Sequence, residues 1–169
     1  MSIAQSLLPE YDHEMATTRT HLARAPYGDW AWQPHAKSMT LGALASHLVE
    51  VPSWVTPTLT RTELDLNPPG GPAYAPPTFA SVAELLAAFD ANVKQGRAAL
   101  AATSDADFMV PWSLKSDGQA LMTLPRIAVM RSFVMNHLIH HRAQLGLYLR
   151  LNDIPVPAIY GPSADDSGM

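Results

Sequence analysis

The sequence predicts an all-α domain over residues 1–169, a four-helix bundle with a minor β-hairpin ahead of the last helix. Three observations carry this expectation. Apolar residues recur at three- and four-residue intervals through four long segments. Clusters of proline and glycine separate those segments. An Asp117-Gly118 pair sits between two short apolar runs, the sequence signature of a tight hairpin turn. A chain of 169 residues can bury a sizeable core without disulfide staples, and it contains no cysteine.

The first helix is expected from Ile3 to Ala25, with Leu7, Leu8, Tyr11, Met15, Thr18 and Leu22 on its inner side. Pro9 removes a backbone donor near its start, so the first turns are expected to kink or separate. The connector Trp30 to Met39 carries two tryptophans, read as a cover for one end of the core or as a pocket wall. Thr40 is a favourable N-cap for the second helix, which bears Leu41, Leu44, Leu48 and Val51, with His47 at its middle. Pro52 and Pro57 are expected to bend or end it.

Residues 61–78, with Asn67-Pro68-Pro69-Gly70-Gly71-Pro72 and Pro76-Pro77, read as a loop serving as a lid or interface segment. Ser81 followed by Glu84 opens the third helix, whose inner side is Val82, Leu85, Leu86, Phe89, Val93 and Leu100. The hairpin pairs Phe108–Leu114 with Gln119–Thr123. One unbroken helix is then expected from Leu124 to Asn152. Ile154 to Pro162 is proline-locked and extended along the bundle, and Ser163 to Met169 is expected to be mobile.

Charge and hydropathy exclude several function classes. A net charge of -4 and the lack of any Lys/Arg block speak against non-specific nucleic-acid binding. No apolar run approaches bilayer length, and Met1 to Pro9 lacks the basic start and apolar core of a signal peptide. A soluble cytoplasmic protein with no membrane partner is expected. Without cysteine, any thiol chemistry needs a thiol delivered from solution.

The chemistry is concentrated in Asn136-His137-Leu138-Ile139-His140-His141-Arg142-Ala143-Gln144. His137 and His141 lie one helical turn apart within the apolar stripe, and His140 points about a quarter-turn away. Two inward imidazoles need partners, and a divalent metal supplies one; two hydrogen-bonded core histidines are the alternative. Leu138 stands where a zincin would carry its general-base glutamate, so that protease class is disfavoured. His47, with Leu44 and Val51 on its face, is the third candidate ligand. His13 and His21 are weaker candidates among charged neighbours, and His35 lies in the connector, where it is expected to be exposed. Glu50 reads as an outer partner of His47, a fourth ligand or a solvated carboxylate, and Gln144 as a substrate-orienting or structural amide. Arg142 and Arg150 read as surface or interface charges, and Met130 and Met135 as core filling.

The segment Trp32-Gln33-Pro34-His35-Ala36-Lys37-Ser38-Met39-Thr40-Leu41-Gly42 leading into His47, with His137-x-x-x-His141-Arg142-Ala143-Gln144-Leu145 running into Tyr148–Asn152, resembles the DinB-like superfamily, which includes the YfiT-like proteins. The likeness extends through Pro155-Val156-Pro157 to Tyr160-Gly161-Pro162-Ser163. The resemblance implies a helical bundle, often a homodimer, with a divalent metal held by three histidines that map onto His47, His137 and His141. It also implies a relation to metal-dependent S-transferases and isomerases that use low-molecular-weight thiols such as bacillithiol or mycothiol. Two functions stay open. One is an enzyme in which nickel or zinc activates a small-molecule thiol or water. The other is a non-catalytic dimeric bundle that binds a metal or ligand.

Overall fold

Ser2 opens helix α1 (Ile3–Leu22) with a reciprocal cap, its hydroxyl accepting from the Gln5 amide while the Gln5 side chain accepts from Ser2. The structure, a computed structural model, describes residues 1–72 and 74–168. Pro9 lies inside α1 without breaking it. Both Pro9 and Gln5, whose carbonyl loses its helical partner, are exposed, so the freed acceptor is open to solvent. Thr40 caps α2 (Leu41–Glu50), accepting from the Ala43 amide at 3.1 Å. At Pro52 the helix tightens into a 3-10 turn (Val51–Trp54) and resumes as α3 (Val55–Thr60).

The expected all-loop segment 61–78 contains a strand, β1 (Glu63–Asp65), and this corrects the fold class. β1 pairs in parallel with β2 (Pro111–Ser116), which pairs antiparallel with β3 (Gln119–Pro125), so the hairpin belongs to a mixed three-stranded sheet. Three residues carry too little alternation to announce a strand, and a parallel partner some fifty residues away leaves no local mark. The hairpin turns on Asp117 and Gly118, both at positive φ (51° and 74°), as a two-residue turn demands. Asp65 ties β1 to that turn by accepting from the Gly118 amide at 2.8 Å. In register, Leu64, Leu114 and Met122 form one cross-strand row.

Between β1 and β2 run α4 (Val82–Ala102), capped by Ser81, and the short α5 (Asp105–Phe108), capped by Ser104. The helix expected over Leu124–Asn152 starts two residues later, because Leu124 and Pro125 complete β3. It then consists of α6 (Arg126–Val129), a π-helical run (Met130–Asn136) and α7 (His137–Leu151). Apolar periodicity does not distinguish such a wide turn from an α-helix over so short a stretch.

Helices α1, α2, α4 and α7 pack around one core that includes Tyr11, Met15, Leu44, Leu48, Phe89, Leu138 and Leu145. Gly96 lets α4 approach the other helices closely, since a Cβ there would lie 2.6 Å from the Tyr11 hydroxyl and 3.1 Å from the Pro52 carbonyl. Met130 and Met135 fill this core as expected. Arg142 does not behave as a surface charge: it is 1% exposed and pairs with Glu14 at 2.6 Å. Its side of α7 faces α1, where Glu14 and Thr18 provide acceptors. Arg150 is exposed and pairs with Asp165.

The C-terminal segment is likewise not free. Ser163 donates to the Val156 carbonyl at 2.6 Å, and Asp166 accepts from Ala158 and Gly168. Among the described residues no helix is long and apolar enough to cross a membrane.

Candidate metal centre

The packing of α2 against α7 brings His47, His137 and His141 together. Buried Leu44 and Leu48 orient α2, and buried Leu138 and Leu145 orient α7, so the three half-buried imidazoles converge between them. His137 Nε2 lies 3.2 Å from His47 Nε2 and 2.7 Å from His141 Nε2. Among the described residues this is the group of histidine and carboxylate side chains disposed to hold a metal, with ligand atoms within 4.8 Å of one another.

The outer nitrogens define the state of each ring. His137 Nδ1 faces the Phe133 carbonyl at 3.3 Å, which can only accept, so Nδ1 carries the hydrogen. His141 Nδ1 donates to Gln144 Oε1 at 2.7 Å, while the Gln144 amide nitrogen donates to His140 at 3.2 Å. His47 Nδ1 faces the Glu50 carboxylate at 3.7 Å. The three Nε2 atoms are then the inner, ligating nitrogens, with His137 Nε2 facing both of the others. Burial pushes the His137 ring pKa down, with the neighbouring His47 adding to the effect. Burial also pushes His141 down to about 4, against the pull of Gln144 and with the surrounding histidines adding to it. The neutral His137 and His141 rings, with Nε2 atoms 2.7 Å apart, repel unless a cation lies between them, and imidazole donors suit a first-row divalent metal. The donor set and its outer partners therefore fit such an ion.

Glu50 occupies the outer position, not that of a fourth ligand. Burial raises its carboxyl, but contacts from His47, Tyr74 and Trp54 outweigh this and hold it below its ordinary value. Tyr74 donates to Glu50 at 2.6 Å, and burial and then the carboxylate push its phenol up. Of the remaining histidines, His13 sits beside Tyr160, His35 and His140 are exposed, and His21 is buried away from the trio with its Nδ1 on the Thr17 carbonyl.

His47 and His137 also line a cavity of roughly 1150 Å³. Trp30, Trp54 and Trp112 are in its wall, whereas Trp32 packs edge-on against Tyr148 at one end of the core. Trp54 contacts both histidines, with ring centroids at 5.5 Å and 5.4 Å. The segment read as a lid contributes Leu66, Pro68, Pro72, Tyr74, Pro76 and Pro77 to the same wall. The part played by Tyr74 and by the row Leu64, Leu114 and Met122 was not legible in the sequence. The alternation of Trp112 with Leu114 was the one local hint that β2 presents an apolar face.

Comparison with known proteins agrees with this fold. A DinB-like protein from Bacillus cereus ATCC 10987 has the same fold, with a TM-score of 0.72 and 20% identity over 94% of this chain and 98% of that one. A DinB-like protein from Bacillus subtilis superposes with a TM-score of 0.65 and 14% identity over 88% and 92% of the two chains. No functionally curated protein matches the sequence. The sequence profile of the DinB superfamily matches residues 10–145, well over half of the chain. The chain belongs to the DinB superfamily.

Proposed function

We propose that this protein is a metal-dependent enzyme in which His47, His137 and His141 hold one divalent cation, nickel or zinc, beside the large cavity. The observation that carries this reading is the convergence of three Nε2 atoms whose rings are each oriented by an outer acceptor. A divalent cation with an open position lowers the pKa of a thiol or a water, giving a nucleophile near neutral pH. The Phe133 carbonyl, Gln144 and Glu50 keep the three rings in the ligating tautomer. The cavity excludes water and holds a second, electrophilic substrate against His47 and His137. With no cysteine in the chain, the thiol is a low-molecular-weight co-substrate.

The test is elemental analysis of the purified protein beside His47→Ala and His137→Ala, followed by thiol-consumption assays with electrophilic acceptors. About one equivalent of metal per chain, lost in both variants together with thiol transfer, supports the enzyme. Stoichiometric metal with neither thiol transfer nor hydrolysis would favour the non-catalytic ligand-binding bundle. A chain that takes up no metal would refute both metal-based readings.

A further inference from the structure

We infer that the cavity beside the histidines binds an uncharged, largely apolar and aromatic ligand, and discriminates against anions. The inference deepens the enzyme reading, on which the ligand's role as acceptor substrate rests, by assigning the chemical class of that substrate.

The composition of the wall carries the argument. Among the described residues, no lysine or arginine lines the cavity. Six aromatic side chains do: Trp30, Trp54, Tyr74, Phe79, Trp112 and Phe133. One face of the sheet adds the row Leu64, Leu114 and Met122. The charged groups in the wall apart from the histidines are Glu50 and Asp65, and both are engaged. Glu50 holds Tyr74 and faces His47, while Asp65 accepts from the Asn67 and Gly118 amides at 3.0 Å and 2.8 Å.

Away from the three histidines, whose proposed cation takes the co-substrate thiolate as its anionic ligand, an anion entering this space would lose its hydration without meeting a cationic side chain and would lie near two carboxylates. A neutral aromatic ligand loses little hydration and gains ring contacts on several sides. At roughly 1150 Å³ the cavity exceeds the volume of most sites for drug-sized ligands, about 300 to 1,000 Å³. It has room for such a ligand beside a smaller thiol. Trp54, in contact with both His47 and His137, would set one edge of the ligand next to the reacting centre.

A matched pair of fluorescent probes tests the inference on the full-length protein: N-phenyl-1-naphthylamine, which is uncharged, and its 8-sulfonate. The neutral probe should bind the wild type at least about tenfold more tightly than the sulfonate. Leu114→Lys, in the middle of the apolar row, should weaken the neutral probe at least about tenfold and narrow or reverse the preference. Met122→Lys at the neighbouring strand should act in the same direction and covers the case in which the first variant fails to fold. Metal content is measured on every sample. Equal or tighter binding of the sulfonate by the wild type would overturn the ligand class, as would neutral-probe binding that neither lysine alters. Either result can occur with one equivalent of metal still bound, which leaves the metal reading intact. Conversely, selective neutral binding by a chain that takes up no metal would uphold the ligand class and remove only its assignment as an enzyme substrate.

Discussion

The Arg142 guanidinium lies 2.6 Å from the Glu14 carboxylate, with the two side chains 1% and 6% exposed. Tyr160 closes the pair, accepting from Arg142 at 2.8 Å and donating to Glu14. Because His141 precedes Arg142 on α7, this contact with α1 also fixes how α7 is rotated towards α2. Arg142→Met would strand a buried carboxylate and is expected to cost about 3–5 kcal/mol of stability. The double variant Glu14→Met/Arg142→Met should recover most of that loss, since a buried pair replaced by apolar side chains is often nearly neutral. Chemical denaturation of the two singles and the double checks both expectations.

Under the proposed metal reading, Glu50 and Gln144 would act on metal affinity through the rings they face, without touching the ion. Glu50→Ala and Gln144→Ala are each expected to weaken binding about 10- to 100-fold while leaving the stoichiometry at one. Competition with a chelator of known affinity measures this. Unchanged affinity in both variants would mean that the rings are held by packing alone.

His21 gives a pH dependence of known sign. Burial holds its ring pKa below the ordinary 6.5, with Arg142 adding to the effect against the Thr17 carbonyl. As the pH falls below about 6.5, the unfolded chain takes up a proton that the native chain refuses. The stabilisation is therefore complete above that value and is lost progressively towards the depressed native pKa. Melting temperatures of the metal-loaded protein between about pH 7 and 5 should fall less steeply for His21→Leu than for the wild type. Parallel profiles would show that His21 titrates normally.

Gly96→Ala tests the close approach of α4. The new methyl would meet the Tyr11 hydroxyl at 2.6 Å and both Pro52 O and Val55 Cβ at 3.1 Å. Tyr11 donates to the Val93 carbonyl and lies fully inside the core, so it has little room to yield. Thermal denaturation should show a loss of about 1–3 kcal/mol, despite the higher helix propensity of alanine.

What the sequence disclosed follows the range of the forces involved. Helices α1, α2 and α4 were legible because caps such as Ser81 and apolar spacings such as Leu41, Leu44 and Leu48 are local. The pair His137 and His141 was legible for the same reason, and His47 could be nominated from its own buried face. Their meeting point depends on how α2 packs on α7, which no local pattern encodes. β1 escaped notice because its partner strand is remote, and the burial of Arg142 because Glu14 lies on another helix. The cavity combines these non-local features, so neither its size nor its chemistry could be read from the linear chain.

The π-helical run from Met130 to Asn136 has a consequence for how this stretch must wind. Each residue of an α-helix advances the chain by about 100° around the axis. A π-helical turn holds about one residue more than an α-helical turn, so the same seven residues rewound as α-helix would turn everything beyond them by about that angle. His137 and His141 would leave the side facing His47 together, although every ligand would still be encoded and the helix would remain intact. The wide turn between Pro125 and His137 is therefore a winding that the chain must keep. Tightening it to an α-helix would disable the centre as surely as the loss of a histidine, with no ligand changed.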